Sequence, residues 1–175
     1  FVFVNDTLLL AVHSSVSVGS GSGSGVAAVG IALRGESTLR IARTTMAATA
    51  HSNISSRGAF TVTAVGVAVR GVAASVQSVH LVETTIVATN FTNVSCIGLN
   101  DAVAAVAVVV HQSSRLYSSL FVANTTMAVA QHSQATCRGS NHVAAVGVAA
   151  DTASAHVLDA TIVAAGVSDV SCVGT

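Results

Sequence analysis

A parallel β-solenoid is the fold class that this chain predicts, and three observations predict it. The 175-residue sequence repeats itself, with several short blocks recurring in a fixed order. Its apolar segments are short, β-branched and often alternating, as in Val65-Gly-Val-Ala-Val69 and Ile86-Val-Ala-Thr89. Its side chains are small: the chain is 51% hydrophobic but only 3% aromatic, with no Pro or Trp.

The repeat carries most of the argument. Arg43-Thr44-Thr45-Met46, Glu83-Thr84-Thr85-Ile86, Asn124-Thr125-Thr126-Met127 and Asp159-Ala160-Thr161-Ile162 share one frame, and Asn5-Asp6-Thr7-Leu8 is read into it. The anchoring threonines are then Thr7, Thr45, Thr85, Thr126 and Thr161, at intervals of 38, 40, 41 and 35 residues. A second block precedes four of these: Val26-Ala-Ala-Val-Gly-Ile-Ala, Val62-Thr-Ala-Val-Gly-Val-Ala, Val103-Ala-Ala-Val-Ala-Val-Val and Val143-Ala-Ala-Val-Gly-Val-Ala. A third closes the repeat: Ser56-Arg57-Gly58, Cys96-Ile97-Gly98, Cys137-Arg138-Gly139 and Cys172-Val173-Gly174. Helical repeats of this length need long 3.6-residue periodicity, and propeller blades carry aromatic and Asp-rich turns; both signals are missing. The prediction is an all-β parallel β-helix over residues 1–175, a single domain that is a segment of a longer chain or one subunit of a fibre. A narrow tube suits Val and Ala, so each repeat of roughly 39 residues is assigned two coils, about nine in all; the alternative, one coil per repeat, would make an unusually wide tube. Leu8, Met46, Ile86, Met127 and Ile162 form the predicted inward ladder. The run Gly19-Ser-Gly-Ser-Gly-Ser-Gly25 is read as a flexible loop leaving the solenoid.

Charge excludes several functions. Seven Arg and no Lys balance seven acids. Nucleic acid and acidic membrane surfaces need a basic patch, and none is predicted. The longest clean apolar run, Ala102 to Val110, is too short for a spanning helix of about 20 residues, so no transmembrane segment is expected in this chain.

Five Asn-x-Ser/Thr sequons are the most informative local motif: Asn5, Asn53, Asn90, Asn93 and Asn124. They point to an extracellular glycoprotein with N-linked glycans in rows on one or two faces. Asn5 with Asn124, and Asn53 with Asn93, are read as equivalent repeat positions. The competing reading is that Asn serves at solenoid turns because it tolerates positive φ.

The remaining reactive residues suggest no site. Cys96, Cys137 and Cys172 share one repeat position. Two coils apart they would be roughly 9–10 Å distant, beyond disulfide reach, so they are read as small buried hydrophobes. Aligned on the threonines, His13, His51 and His132 share a position with Phe91 and Val167, and His80 and His156 share one with Arg40 and Phe121. The same spacing argues against a metal site, and the apolar alternates suggest half-buried packing. The acids Asp6, Glu36, Glu83, Asp101, Asp151, Asp159 and Asp169 are scattered, so neither catalytic residues nor a cofactor is expected. Arg43 and Glu83 take one frame position and are placed two coils apart on the outer face. A Thr-Thr pair on every second coil is a poor match to the flat Thr array of an ice-binding face.

Val79-His-Leu-Val-Glu-Thr-Thr-Ile-Val-Ala-Thr-Asn90 and Leu120-Phe-Val-Ala-Asn-Thr-Thr-Met-Ala128 resemble the parallel β-helix repeats of large surface glycoproteins, the dispersed gene family of trypanosomatid protozoa in particular. The resemblance covers most of the chain through degenerate Val/Ala/Thr patterns. It implies a right-handed parallel β-helix, extracellular display and glycans, and it implies no catalytic residues.

These readings lead to a structural role in an extracellular fibre or cell-surface coat. The alternatives are an adhesin-like module that binds through one solenoid face and a polysaccharide-active enzyme. No amphipathic helix or polar capping segment is read within either terminal stretch: the chain opens on Phe1-Val-Phe-Val4 and closes in repeat at Cys172-Val-Gly-Thr175. Unpaired strand edges at both ends then predict end-to-end self-association.

Overall fold

The computed structural model describes residues 2–19, 26–34, 38–59, 61–71, 77–98, 103–112, 118–139, 143–151, 154–166 and 168–174. Among them every regular element is a strand. The first coil runs β1 (Val2–Asn5), β2 (Leu8–Val12), β3 (Ser15–Gly19) and β4 (Val26–Arg34). The second is β5 (Thr38–Ala42), β6 (Thr45–Thr49), β7 (Asn53–Gly58) and β8 (Val62–Gly71). The third is β9 (Gln77–Val82), β10 (Thr85–Ala88), β11 (Asn93–Gly98) and β12 (Val103–Gln112). The fourth is β13 (Ser118–Ala123), β14 (Thr126–Ala130), β15 (Gln134–Gly139) and β16 (Val143–Asp151), and β17 (Ser154–Leu158), β18 (Thr161–Ala165) and β19 (Asp169–Gly174) follow.

Each strand pairs in parallel with its equivalents one repeat away. Four sheets result: A (β1-β5-β9-β13-β17), B (β2-β6-β10-β14-β18), C (β3-β7-β11-β15-β19) and D (β4-β8-β12-β16). The fold is therefore a parallel β-solenoid, as the repeat predicts. The coil count differs from the expectation. Leu39 pairs with Val79 and Val79 with Leu120, so one whole repeat makes one coil, giving about five coils in place of nine. A coil this long stays filled because sheet D packs directly against sheets B and C across the interior. Of the Gly19–Gly25 run, Gly19 ends β3, and residues 20–25 lie outside the described residues, as do Glu36, Asp101 and Val167.

The inward ladder is real, with one shift of frame. Met46 pairs with Ile86, Ile86 with Met127 and Met127 with Ile162, and Met46, Ile86 and Met127 are fully buried. In the first coil Leu9, not Leu8, pairs with Met46, whereas Leu8 is 63% exposed. Thr7 thus corresponds to Thr44 and Asp6 to Arg43. Asn5 pairs with Ala42, so it is not the equivalent of Asn124.

Two corners turn the chain from sheet A to B and from B to C without glycine in most coils. At the first, Asp6, Arg43, Glu83, Asn124 and Asp159 all take φ of 47–52°. That left-handed conformation is costly for L-residues, and the following threonine offsets it. Thr44 Oγ1 donates to the Ala42 carbonyl at 3.0 Å, and Thr7, Thr84 and Thr125 repeat the bond. The N–H of the left-handed residue meanwhile bonds to the next coil, as Arg43 does to Val82 O at 3.1 Å. At the second corner Ser52 and Thr92 donate to the carbonyls of Thr49 and Thr89 at 2.6 Å, across the left-handed pairs Ala50-His51 and Asn90-Phe91.

Candidate binding face

Sheet A exposes two parallel rows on its outer surface. The pairing aligns Phe3, Arg40, His80, Phe121 and His156 in one row, and Thr38, Ser78, Ser119 and Ser154 in the other. The elements explain the rows: strand alternation turns Leu39, Ile41, Val79, Leu81, Leu120 and Val122 into the core and leaves the intervening residues outside. Thr38, Arg40, His80, Val82 and Phe121 line a shallow cleft of about 370 Å³. Ser78 Oγ lies 2.8 Å from His80 Nε2 and 3.2 Å from Ser119 Oγ, which fixes the imidazole over the sheet. The His80 and Phe121 rings are 5.7 Å apart, and the Arg40 guanidinium sits 5.9 Å from the Phe3 ring centroid. The strands of sheet A contain no Asp or Glu.

The sequence alignment found this row but took it for packing and missed Phe3. The first-repeat frame, displaced by one residue, put Val2 in its place. His80 and Phe121 are half-buried, whereas Arg40 and His156 are exposed. The other aligned histidines stand at the second corner. His13, His51, Phe91 and His132 form a stack with successive centroid separations of 6.0, 5.1 and 4.9 Å, and all four are exposed rather than half-buried. Because the members sit one coil apart, the spacing argument against a shared ion does not apply. Among the described residues, no group of three or more His, Cys, Asp or Glu is arranged to hold a metal.

Four of the five sequons lie on other surfaces, and the fifth, Asn5, ends β1 of sheet A. Asn53 and Asn93 are exposed, paired with each other, and open β7 and β11 in sheet C. Asn90 and Asn124 are exposed at the two corners with φ of 59° and 48°, where the turn reading of Asn applies equally. Asn5 is half-buried and donates to the Asp6 carboxylate.

The cysteine row is corrected by the coil count. Cys96 pairs with Cys137 and Cys137 with Cys172 on adjacent strands. Cys137 and Cys172 form a disulfide with Cα atoms 4.8 Å apart. Cys96 is buried and free, and its burial pushes the thiol pKa up. Arg43 meets Asp6 rather than Glu83: Nε lies 2.6 Å from Oδ1 and Nη2 2.8 Å from Oδ2. That fork holds the exposed Asp6 carboxyl below its ordinary range.

No protein-family model matches the chain, and no curated protein or solved structure matches it. Among the described residues no helix is long and apolar enough to cross a membrane.

Proposed function

We propose that this chain is a structural module of an extracellular glycoprotein, a stiff segment of a fibre or cell-surface coat. One observation carries the reading. Val157 and Ile162 occupy inward rows but are 45% and 50% exposed, while Val122 and Met127, their partners one coil earlier, are fully buried. That apolar, strand-edged surface is shaped to receive another coil, whether from more of the same chain or from a second copy. Heterologous stacking of this kind propagates as an open filament when its rotation does not close. The Cys137–Cys172 disulfide supports an oxidising compartment, and the four exposed sequon asparagines are accessible for glycans.

The test is to secrete the chain from eukaryotic cells, measure its intact mass and image it by electron microscopy. Glycan on Asn53, Asn90, Asn93 or Asn124 and end-to-end oligomers are expected, and Ile162→Asp should return them to monomers. Discrete monomers of the parent chain, bare at all five sequons, would overturn the reading.

A further inference from the structure

We propose that the outer face of sheet A binds an acidic oligosaccharide laid along the solenoid axis, with Arg40, His80 and Phe121 as its centre. The site goes beyond the structural reading and does not depend on it, since a module that never polymerises keeps this face.

Charge complementarity is the first support. Two arginines three residues apart have opposite fates. Arg43, at the corner, is neutralised by Asp6 in a two-bond fork. Arg40, on the sheet, is exposed and has no carboxylate partner among the described residues; its contact is the Phe3 ring. His80 and His156 share its row, and the five strands of sheet A contribute no acid to oppose them. An unopposed guanidinium selects a carboxylate or a sulfate, which its planar fork grips through two parallel hydrogen bonds.

The rest of the cleft suits a sugar. The Phe121 ring offers an apolar plate for the C–H face of a pyranose, and it lies one coil from His80 and two from Arg40. The hydroxyls of Thr38, Ser78 and Ser119 run beside it, ready to exchange hydrogen bonds with ring hydroxyls. Successive coils rise by about 4.8 Å, close to the length of one sugar unit in an extended chain. An extended chain of sugars therefore meets a new side chain of the row with each unit, Arg40, then His80, then Phe121. A peptide is the poorer fit. Extended peptides are captured by adding a strand to a free sheet edge, whereas β5, β9 and β13 are each paired on both sides. Of the strands of sheet A, β1 carries a sequon asparagine at its end, the half-buried Asn5, whereas β5, β9 and β13, which line the cleft, and β17 carry none.

Isothermal titration of the whole chain tests this with four probes: a tetragalacturonate, a sulfated tetrasaccharide of the heparin type, a neutral tetragalactose, and a Glu-rich peptide of matched charge. Binding of the uronate or the sulfated probe is expected, the two arms showing which anion the site takes. The neutral sugar and the peptide should bind at least about tenfold more weakly, a difference of about 1.4 kcal/mol. Arg40→Gln and Phe121→Ala should each weaken binding by about tenfold, and Arg40→Lys should fall between Arg40→Gln and the parent. Arg57→Gln, on sheet C, should change nothing. Thermal melts confirm that each variant is folded. No binding of either acidic sugar, equal binding of the peptide, or equal losses from Arg57→Gln would each overturn the proposal.

Discussion

Sheets C and D are neighbours in every coil, yet they are written in different codes. In sheet C the strands alternate: in β11, Val94 and Cys96 are buried while Asn93 and Ile97 are exposed. In sheet D every residue from Val103 to Val110 is buried. Val106, Val108 and Val110 belong to the main core, and Ala104, Ala107 and Val109 form a second cluster on the opposite face. The difference teaches that apolar periodicity reports how many faces of a strand are covered. Val103–Val110, the described part of the longest apolar run in the chain, is buried on both faces in this way.

Sheet D also bends. Its pairing passes over Ala64 and Ala105, and each of these faces the core together with the valine that follows. The next position holds Gly30, Gly66, Ala107 and Gly147 in successive strands. Gly66 has φ of 134°, and a Cβ there would stand 1.9 Å from the Ala107 carbonyl oxygen. The largest expected effect follows: Gly66→Ala should cost more than about 4 kcal/mol, since both the backbone conformation and the close strand approach oppose it. Thermal denaturation checks it, and a variant that melts with the parent would show that sheet D does not hold this bend.

Ala107→Asp and Ile97→Asp both replace a residue on the face away from the main core. Ala107 is fully buried, so an unpaired carboxylate there should cost about 3–5 kcal/mol. Ile97 is 40% exposed and lies in register between Arg57 and Arg138, so its change should stay within about 0.5 kcal/mol. Equal losses in chemical denaturation would erase the distinction between the two sheets.

The fold class, the Val-block register and the shared cysteine position were legible because in-register stacking forces equivalent residues into rows. The number of coils was not. A period states how often the pattern returns, and the two corners that flank sheet B carry no Pro and, among the described residues, only Gly166 as a glycine to announce them. Arg43, Glu83, His51 and Phe91 all turn the chain through left-handed backbone instead. The threonine and serine that satisfy these corners look like ordinary strand residues. The first coil misled for a second reason: Asn5-Asp6-Thr7 imitates the sequon Asn124-Thr125-Thr126, which pulled its frame one residue out of register. The outer face of sheet A was visible as an alignment column, but its open side became visible only when the strands were placed.

The cysteine row offers a covalent check on the coil count. With one coil per repeat, Cys96 is the neighbour of Cys137 on the side opposite Cys172. Cys172→Ser, refolded under oxidising conditions, should therefore give a Cys96–Cys137 disulfide by non-reducing peptide mapping. The new loop, spanning 41 residues against 35, changes closure entropy negligibly, so stability should differ little from the parent. Two free thiols in the folded variant would contradict the one-coil register. In the parent, burial raises the Cys96 pKa, so the stability it favours is full below the ordinary thiol value of about 8.5 and declines as pH rises above it.

The smallest effect belongs to the corner pair. Asp6 and Arg43 are both more than half exposed, so solvent screens them and their link tunes the surface without holding the coils. Asp6 has its folded pKa lowered by the hydrogen bonds from Arg43. Its contribution is thus present above the unfolded carboxylate value of about 3.9 and is lost as pH falls through the lower folded value. Asp6→Asn should remove that part of the acid limb from a plot of melting temperature against pH and leave the neutral plateau almost unmoved. Glu83, on the other side of Arg43, makes only a minor electrostatic contribution to it. Glu83→Gln should therefore leave the Asp6 limb in place. If Glu83→Gln removes it and Asp6→Asn does not, Arg43 pairs toward the third coil, and the two-bond fork to the first coil is not its solution partner.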